Sequence, residues 1–322
     1  MIRFLKIAVP LVGVVAIAQI RKKKSRKNGS DEQTNAIRDE AKRKLEKPMV
    51  TEAEARDVCA KRFGVRVSKI KVLESYDDAN FYVRGTFLGG DATERRFVLK
   101  IHNGVESDNP EFVRASNDLF NHLAREDFHI SAPVPLPTVE NVKDNEKFIA
   151  WCEFQRKPTD GSKGGNGKRR FAVRLLKFVD GVLMNEISPL TPRLIRESGE
   201  FLGRLRNALD MFPTKKSDGF VRDHLWDLRR TEDILYFLDS VKCPDRRELV
   251  KGVVKEFRST VIANDKSLPR AVLHTDFNDA NVCCQRLCVC VCVSFVLFEH
   301  QLQLPKKCRY LRQVQWEVKY LV

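Results

Sequence analysis

The stretch Ala271-Val-Leu-His-Thr-Asp-Phe-Asn-Asp-Ala-Asn281 passes from three apolar residues into a polar loop that holds His274, Asp276 and Asn281. The apolar residues predict a short buried strand that delivers the loop to the surface. A carboxylate in such a loop can accept a proton, and a neutral amide can ligate a cation without adding negative charge. A polar turn after a strand is the alternative, so the loop needs supporting residues elsewhere in the chain.

The spacing of the polar residues indicates which chemistry to look for. His-x-Asp with Asn five residues after the Asp is typical of kinase-type phosphotransferases, in which Asp accepts the proton of the attacking hydroxyl and Asn holds a metal ion on the phosphates. We therefore predict Asp276 and His274 as catalytic residues and Asn281 as a Mg²⁺ ligand.

The positive charge of the chain is concentrated at its two ends. The 322 residues carry a net charge of +15. Residues 1–47 hold 13 Lys and Arg against 5 Asp and Glu, and residues 286–322 hold 6 against 2, which leaves +3 for residues 48–285. Because the central region lacks a large basic excess, we expect no nucleic-acid partner.

The N-terminal segment combines an apolar run with a basic flank. Residues 4–20 are apolar except for Lys6 and Gln19, and the basic run Arg21-Lys-Lys-Lys-Ser-Arg-Lys27 follows directly. A membrane-spanning helix usually needs about 20 residues, so this run is at the lower limit. The positive-inside rule would keep the basic run and the rest of the chain in the cytosol. We predict a signal-anchor over residues 1–27, with the mitochondrial outer membrane as one destination.

Other interpretations of this segment stay open. They are a surface helix of a soluble cytoplasmic protein, an incorrectly assigned start codon and a cleaved signal peptide. Residues 28–47 are charged and predict a solvated linker whose second half is helical. The folded domain is expected to start near Pro48, with a capping box at Thr51-Glu-Ala-Glu54 that opens a helix ending at Gly64.

Alternating apolar and polar residues predict the first strands of the domain. Residues 67–73 and 80–87 form a predicted hairpin with the turn Ser75-Tyr-Asp-Asp-Ala79, and residues 96–102 form a third strand. Val98-Leu-Lys100 has the pattern of the kinase strand whose lysine contacts the α and β phosphates of the nucleotide. A lysine that reaches solvent from an edge strand is the alternative.

A kinase lysine of this kind needs an acid on the following helix. Asn109-Pro110 predicts the start of that helix, and its apolar stripe contains Phe112, Leu119, Phe120 and Leu123. Glu111 is the available acid. It lies in the first helical turn, where interaction with the helix dipole explains it equally well, so the partner of Lys100 stays unassigned.

The remaining pattern changes from strands to helices. Residues 148–151 and 171–176 predict a hairpin pair, and Phe178-Val-Asp-Gly181 ends it at a hinge where Gly181 permits the turn. Helices are then predicted from Pro192, over 225–241 and over 246–262. The apolar face of the first contains Leu194, Ile195, Phe201, Leu202, Leu205, Leu209 and Phe212.

The nine cysteines do not form a pattern typical of a metal site. Cys288, Cys290 and Cys292 recur with a period of two, which places them on one face of an extended strand instead of around a tetrahedral zinc ion. We expect reduced thiols in a cytosolic protein.

These motifs together resemble the aminoglycoside phosphotransferase/choline kinase family. The resemblance rests on the segments Ser75–Phe81, Val98–Lys100, Val173–Leu176 and His274–Asn281, and it covers residues 48–285. It implies an α+β, two-lobed protein-kinase-like fold. The first lobe, an antiparallel sheet with a helix, would occupy residues 48–177, and an incomplete helical second lobe would occupy 178–285.

The resemblance also implies roles for individual residues. Asp276 would be the catalytic base, Asn281 a Mg²⁺ ligand and Lys100 a phosphate clamp, while Tyr76, Asp77 and Asp78 in the turn would cover the nucleotide. The phosphoryl donor would be GTP or ATP. The acceptor would be a hydroxyl of a small amino-acid-like substrate, with 5-hydroxy-L-lysine expected.

The C-terminal segment departs from the family pattern. Such kinases carry a second metal-binding Asp shortly after the catalytic loop, but residues 286–322 contain no Asp and their only acids are Glu299 and Glu317. Thr275 also stands where relatives usually have Gly. The Cys-rich tail over 286–322 is therefore interpreted as the product of an alternative or incorrectly assigned exon.

Three classes of function remain open from the sequence. The first is a small-molecule kinase. The second is a catalytically inactive chain that binds a nucleotide or a partner, which the missing Asp favours. The third, a membrane-tethered basic adaptor, rests only on the charge of the two ends.

Overall fold

The structure is a computed structural model that describes residues 41–140, 144–156, 167–221, 227–268, 271–284, 289–291 and 297–299. The chain divides into two compact units. The larger unit comprises residues 40–222 and 271–299, and the described part of the other is 227–268. All predicted site residues belong to the larger unit.

A six-stranded antiparallel sheet forms the first half of the larger unit. Its strand order is β1-β5-β6-β4-β3-β2, with every neighbouring pair antiparallel. The strands are β1 (Pro48–Met49), β2 (Val65–Leu73), β3 (Ala79–Phe87), β4 (Arg95–Ile101), β5 (Ala150–Arg156) and β6 (Lys168–Lys177). The predicted hairpins are confirmed. The strands predicted over 67–73, 80–87, 96–102 and 171–176 lie within about two residues of their observed bounds or inside them, whereas the strand predicted over 148–151 begins two residues later and extends to Arg156.

Helix α1 (Glu52–Phe63) packs on one face of this sheet. The predicted capping box is present, since Thr51 Oγ1 accepts from the Glu54 amide and the Glu54 carboxylate accepts from the Thr51 amide. The helix ends at Gly64, whose φ of 63° lies in the left-handed region. Its buried face joins the sheet in the first hydrophobic core, whose members include Ala55, Val58, Cys59, Phe63, Leu99, Ile101, Phe171 and Val173.

Strand β4 carries Lys100 on the face opposite this core. Leu99 and Ile101 point into the core beneath α1, so the alternation of the strand sends Lys100 to the other side. Two helices follow β4, namely the short α2 (Gly104–Asp108) and α3 (Glu111–Leu123). The helix predicted from Asn109-Pro110 is thereby confirmed.

The sheet ends in a turn that needs a glycine. Gly181 has a φ of 151°, and a Cβ added there would lie 2.9 Å from Cys283 Cβ and 3.1 Å from the Cys284 carbonyl oxygen. The predicted turn at this glycine is confirmed, and the close approach adds a second reason for the residue.

Gly181→Ala is expected to lower the free energy of unfolding by about 1–3 kcal/mol, because alanine disfavours this φ and its Cβ has no room. Urea denaturation measures the change. The matched control is Gly199→Ala inside the helix Pro192–Asp210, where a Cβ meets nothing within 4 Å. That variant should be unchanged or more stable by up to about 1 kcal/mol. Equal stability of the two variants would contradict the assignment of strain to Gly181.

A helical core follows the turn. Helix α4 (Pro192–Asp210) has Pro192 in its first turn and Thr191 as its cap, as the sequence predicts. Phe201, Leu205, Ala208 and Leu209 are buried in a second hydrophobic core with α3 and with Val272 and Val282. The prediction that Ile195 belongs to the buried face is wrong, since Ile195 is 57% exposed. The apolar stripe therefore includes Leu194, which packs against this core, but not Ile195.

Short strands complete the larger unit. They are β7 (Val182–Leu183), β8 (Val272–His274), β9 (Val282–Cys284), β10 (Val289–Val291) and β11 (Leu297–Glu299). Strand β9 pairs with β7 and β10, and β8 pairs with β11. Two pieces of the Cys-rich tail thus pair with strands on either side of the catalytic loop. Cys288, Cys292 and Cys308 lie outside the described residues.

The other unit is helical where it is described. It contains the 3₁₀ helix Leu228–Ser240, helix α5 (Pro244–Thr260) and the 3₁₀ helix Ile262–Ser267. The helix predicted over 246–262 is confirmed as α5. The helix predicted over 225–241 is a 3₁₀ helix with non-helical dihedral angles at Arg230, and its predicted start at residue 225 lies outside the described residues.

Of the two N-terminal predictions, the signal-anchor and the linker, the structure describes only part of the linker. The signal-anchor over residues 1–27 lies outside the described residues and stays a prediction. No helix in the part of the chain that the structure describes is long and apolar enough to cross a membrane. Residues 41–47, which the sequence assigns to a linker, begin as a helical turn and bury Glu46 against the sheet.

Candidate active site

The catalytic loop is anchored by strands at both ends. Strand β8 leads into it with Val272 buried in the helical core, and β9 leaves it with Val282 and Cys283 buried. Between them the chain turns through Asn278, whose carbonyl oxygen accepts from the Asn281 amide at 3.1 Å. The predicted apolar strand before the loop is confirmed.

Two asparagine side chains hold the carboxylate of Asp276. Asn278 Nδ2 donates to Oδ1 at 2.7 Å, and Asn281 Nδ2 donates to Oδ2 at 2.7 Å and to the Asp276 carbonyl oxygen at 2.8 Å. Burial raises the pKa of Asp276, while the two hydrogen bonds from asparagine oppose that rise. The carboxylate is thus fixed in position and made more basic, which are the properties of a general base.

His274 supports the loop from its apolar side. Its ring meets the edge of Phe277 at 5.8 Å between centroids, and Phe277 stacks on Phe201 of helix α4 at 6.2 Å. The Asp276 amide donates to His274 Nδ1 at 3.3 Å. Burial lowers the pKa of His274 to about 4, so the ring is neutral at pH 7. The neutral ring can therefore accept the hydrogen bond from the Asp276 amide.

Acidification is expected to destabilise the protein through His274. Between about pH 6.5 and pH 4 the unfolded chain binds a proton that the folded chain does not, so the free energy of unfolding falls as the pH falls, by at most about 1.4 kcal/mol per pH unit. His274→Gln should remove this part of the pH dependence. His129→Gln, at an exposed position, should keep it. Urea denaturation of the three proteins from pH 7.5 to 4 tests this, and identical slopes for all three would refute it.

The residues around the loop do not complete a magnesium site. Asn281 is 6% exposed and commits its amide nitrogen to Asp276, so only its carbonyl oxygen is left as a metal ligand. Among the described residues no group of three His, Cys, Asp or Glu side chains is arranged to hold a metal ion. Since residues 286–322 also supply no Asp, the donor set falls short of the hard oxygen ligands that Mg²⁺ needs, and we derive no step through this ion.

Lys100 is paired with Asp78 of the turn between β2 and β3. Lys100 Nζ donates to Asp78 Oδ2, and the Asn103 amide donates to Asp78 Oδ1 at 2.8 Å. Both side chains are largely buried, with exposures of 17% and 14%. Burial by itself would raise the pKa of Asp78, but the electrostatic interactions with Lys100 and His102 and the hydrogen bonds from Lys100 and the Asn103 amide together outweigh it, so the pKa lies well below its usual range. The alternative that Lys100 reaches solvent from an edge strand is therefore excluded.

The two other predicted turn residues lie apart from Lys100. Asp77 accepts from Arg43 Nε at 2.7 Å. Burial and the charge of Asp78 raise the pKa of Asp77 to about 6, although Arg43 lowers it. The Tyr76 side chain is 60% exposed, with Lys44 Nζ 5.5 Å from its ring centroid. Their assignment to nucleotide binding stays a prediction.

Helix α3 supplies no acid to Lys100. Glu111 accepts from Arg114 of the same helix at 2.5 Å, which agrees with the helix-terminal explanation of this residue. The helix instead presents the buried Asn117 to the sheet, where its Oδ1 accepts from Arg174 at 2.9 Å. The sequence left the partner of Lys100 unassigned, and the structure places it in the turn.

A buried arginine lies next to this pair. Arg174 of β6 is the register partner of Lys100 and is 3% exposed. Its Nε donates to His102 Nε2 at 2.9 Å, and its guanidinium lies 5.6 Å from the Phe120 ring centroid. Burial lowers the pKa of Arg174 to about 10, so it stays charged at neutral pH. Lys100 and Arg174 thus place two cations beside the carboxylate of Asp78.

Sequence reasoning missed several of these residues. Arg43 lies in a basic segment and no spacing marks it, whereas Arg174 lies in the segment Val173–Leu176 that carries the family resemblance but was assigned no role. Asn103 carries a detectable signal, because an asparagine directly after a strand and before Gly-Val-Glu is a typical helix cap, and its Oδ1 does accept from the Val105 amide at 2.9 Å.

Comparison with known proteins agrees with this geometry. Residues 69–289 match the sequence model of the phosphotransferase enzyme family, APH. The chain is 28% identical over 240 residues to hydroxylysine kinase of Mus musculus and 28% identical over 242 residues to that of Bos taurus. These matches cover 73% and 74% of this chain but only 59% and 60% of the relatives. The chain therefore spans about three fifths of the length of these curated relatives.

The structure of this chain also aligns with a solved structure, at a low TM-score. The GDP complex of wild-type aminoglycoside 2'-phosphotransferase-IIIa aligns with a TM-score of 0.45 at 10% identity, covering 76% of this chain and 72% of the other. An overlap of this size does not by itself define a shared fold. The family match stands without it.

The family match spans most of the sheet, helix α4 and the catalytic loop, and it includes Lys100, Asp276 and Asn281. An antiparallel sheet with helices is the α+β, protein-kinase-like fold that the sequence predicts. More than half of the chain lies within the matched range, so this chain belongs to the phosphotransferase enzyme family.

Proposed function

We propose that this chain is a small-molecule kinase that transfers the γ-phosphate of GTP or ATP to a hydroxyl of an amino-acid-like substrate. The observation that carries the proposal is the Asp276 carboxylate, desolvated and held between the amides of Asn278 and Asn281. A carboxylate held in this way can take the proton of a hydroxyl as it attacks phosphorus.

Lys100 is the proposed contact for the nucleotide phosphates. Its ammonium lies on the sheet face that also carries the buried Arg174, and both cations would attract a polyanion whose oxygens replace Asp78 at Lys100. Phosphate oxygens would compete with Asp78 for the ammonium. When no nucleotide is bound, the ion pair with Asp78 holds the Lys100 side chain in place.

We propose 5-hydroxy-L-lysine as the acceptor. Two of the most similar relatives carry the name hydroxylysine kinase, and this substrate has the hydroxyl that the proposed reaction needs. The assay mixes the full chain with Mg²⁺ and γ-labelled GTP or ATP and measures labelled product. L-Lysine is the matched control, because it lacks only the hydroxyl. Equal labelling with both amino acids, or labelling of neither together with no nucleotide binding, would refute the proposal.

A second candidate is a nucleotide-binding module without turnover. The incomplete donor set around Asn281 favours it, because loss of a metal ligand removes stabilisation of the transition state while leaving other phosphate contacts. Under this alternative, the fluorescent analogues mant-GTP and mant-ATP bind to the full chain, but no labelled hydroxylysine forms. Product formation above background excludes it.

The location of the protein is a separate proposal. The apolar run at residues 4–20 and the basic run after it would anchor the chain to a membrane with the kinase domain on the cytoplasmic face. A fluorescent fusion of the full chain should then label a membrane, such as the mitochondrial outer membrane, while a fusion that begins at residue 28 should be diffuse. The same diffuse distribution for both would refute the anchor.

A further inference from the structure

Residues 41–47, here called the strap, contact both the sheet and the turn at Ser75–Ala79. Glu46 accepts from Arg156 of β5 and Arg169 of β6, and its carbonyl oxygen accepts from the Gly104 amide at 3.0 Å. The next residue, Lys47, donates from Nζ to the Ser75 carbonyl oxygen at 2.7 Å and to that of Tyr76 at 3.3 Å. The strap is therefore tied to both the sheet and the turn.

Arg43 makes the central contacts of the strap. Its guanidinium contacts Asp77 at 2.6 Å and Glu106 of α2 at 2.7 Å, and its carbonyl oxygen accepts from Asn103 Nδ2 at 2.7 Å. The side chains of Arg43 and Asp77 are each 13% exposed, and that of Glu106 is 5% exposed. One guanidinium thus bridges two buried carboxylates, which suits its planar fork.

These contacts continue directly to Lys100. Asn103 joins the strap to the turn, since its Nδ2 also donates to the Asp77 carbonyl oxygen at 3.0 Å and its backbone amide donates to Asp78. Asp78 in turn contacts Lys100. Lys47 and Asp78 also line one cavity of about 480 Å³ beside the turn. Arg43 thus adds a positive charge to a largely buried region that holds the carboxylates of Asp77, Asp78 and Glu106, and its loss would leave those carboxylates with less compensating charge.

The strap lies outside the segment that defines the family. The family match begins at residue 69, after the strap and after α1.

We propose that the strap positions the turn at Ser75–Ala79 and, through Asp78, the ammonium of Lys100, with Arg43 as the positioning residue. The part that concerns nucleotide affinity rests on the proposed function. The part that concerns the turn does not, because order in the turn can be measured on the protein alone.

The experiment compares the full-length wild-type chain with Arg43→Met. Hydrogen–deuterium exchange is followed in peptides that cover residues 75–81 and 102–106, and affinity is measured with mant-GTP and mant-ATP. We expect faster exchange in both peptides and a loss of affinity of about tenfold, which corresponds to the loss of charge-assisted hydrogen bonds. The control is Arg84→Met, which removes an exposed pair with Glu94 and should change neither measurement.

Two further variants separate positioning from simple charge balance. Arg43→Met with Glu106→Gln removes one of the two carboxylate charges that Arg43 contacts and should recover part of the melting temperature, while exchange at the turn stays fast and affinity stays low. Arg43→Lys keeps the charge but cannot bridge both carboxylates with a planar fork, so it should raise exchange in the same peptides to a smaller extent. It also provides the comparison if Arg43→Met does not fold.

Each outcome decides the proposal. Unchanged exchange at residues 75–81 in Arg43→Met and Arg43→Lys would contradict the proposal that the strap positions the turn. Full recovery of protection in the double variant would contradict it as well. If the wild-type chain binds neither nucleotide analogue, the proposed function fails, and the exchange measurement still decides whether the strap orders the turn.

Discussion

Asp276→Asn is expected to lower the rate of phosphoryl transfer to 5-hydroxy-L-lysine by at least about 100-fold, the usual contribution of a general base. Asparagine keeps the shape of the side chain but cannot accept the proton of the hydroxyl. Its amide oxygen can still accept from Asn278 or Asn281, so the loop should keep its conformation. The measurement is the initial rate with labelled GTP or ATP at saturating substrate.

Controls for this variant separate chemistry from folding. The melting temperature and the affinity for mant-GTP should match those of the wild-type chain. Asp276 accepts from Asn278 and Asn281, whereas Lys100 is paired with Asp78. Asn278→Ala, which removes one of the two amides from the carboxylate, should have a smaller effect on the rate. A rate for Asp276→Asn equal to that of wild type would remove Asp276 from the mechanism.

Lys100→Met is expected to lower the free energy of unfolding by on the order of 3 kcal/mol at pH 7, since it leaves Asp78 buried without its cation. Asp78→Asn together with Lys100→Met should recover most of that loss, because no buried charge is then left unpaired. Urea denaturation of both single variants and the double variant gives the interaction energy of the pair. The control is Lys61→Met, which removes an exposed pair with Asp57 and should cost less than about 1 kcal/mol.

The pH dependence of the same variants gives an independent check. In the wild-type chain the pKa of Asp78 is lowered, so its contribution to stability is present above the unfolded pKa of about 3.9 and is lost as the pH falls below it. In Lys100→Met the carboxyl is more easily protonated when folded than when unfolded. The difference in stability between the two proteins should therefore shrink from pH 7 to pH 4.5. A constant difference would show that the loss comes from packing and not from the charge of Asp78.

Local features of the fold were determined by the sequence alone. The capping box at Thr51–Glu54 and the left-handed Gly64 define α1, because each depends on residues within one helical turn. The hydrogen bonds from Asn278 and Asn281 to Asp276 close over two and five residues, so the spacing in the loop is sufficient to predict them as neighbours. The alternation around Lys100 likewise predicted its face of the sheet.

Only the tertiary structure decided which groups meet that lysine. Asp78 is 22 residues from Lys100, and Arg43 is 34 residues from Asp77 and 63 from Glu106. These contacts depend on the pairing of β3, β4 and β6 and on the path of the strap, none of which has a local signature. The raised pKa of Asp77 and the lowered pKa values of Asp78 and His274 follow from burial and from these neighbours. The sequence determined which side chains could do the chemistry, whereas the packing of distant segments decided their charge partners, because electrostatic energies depend on distance and burial in three dimensions.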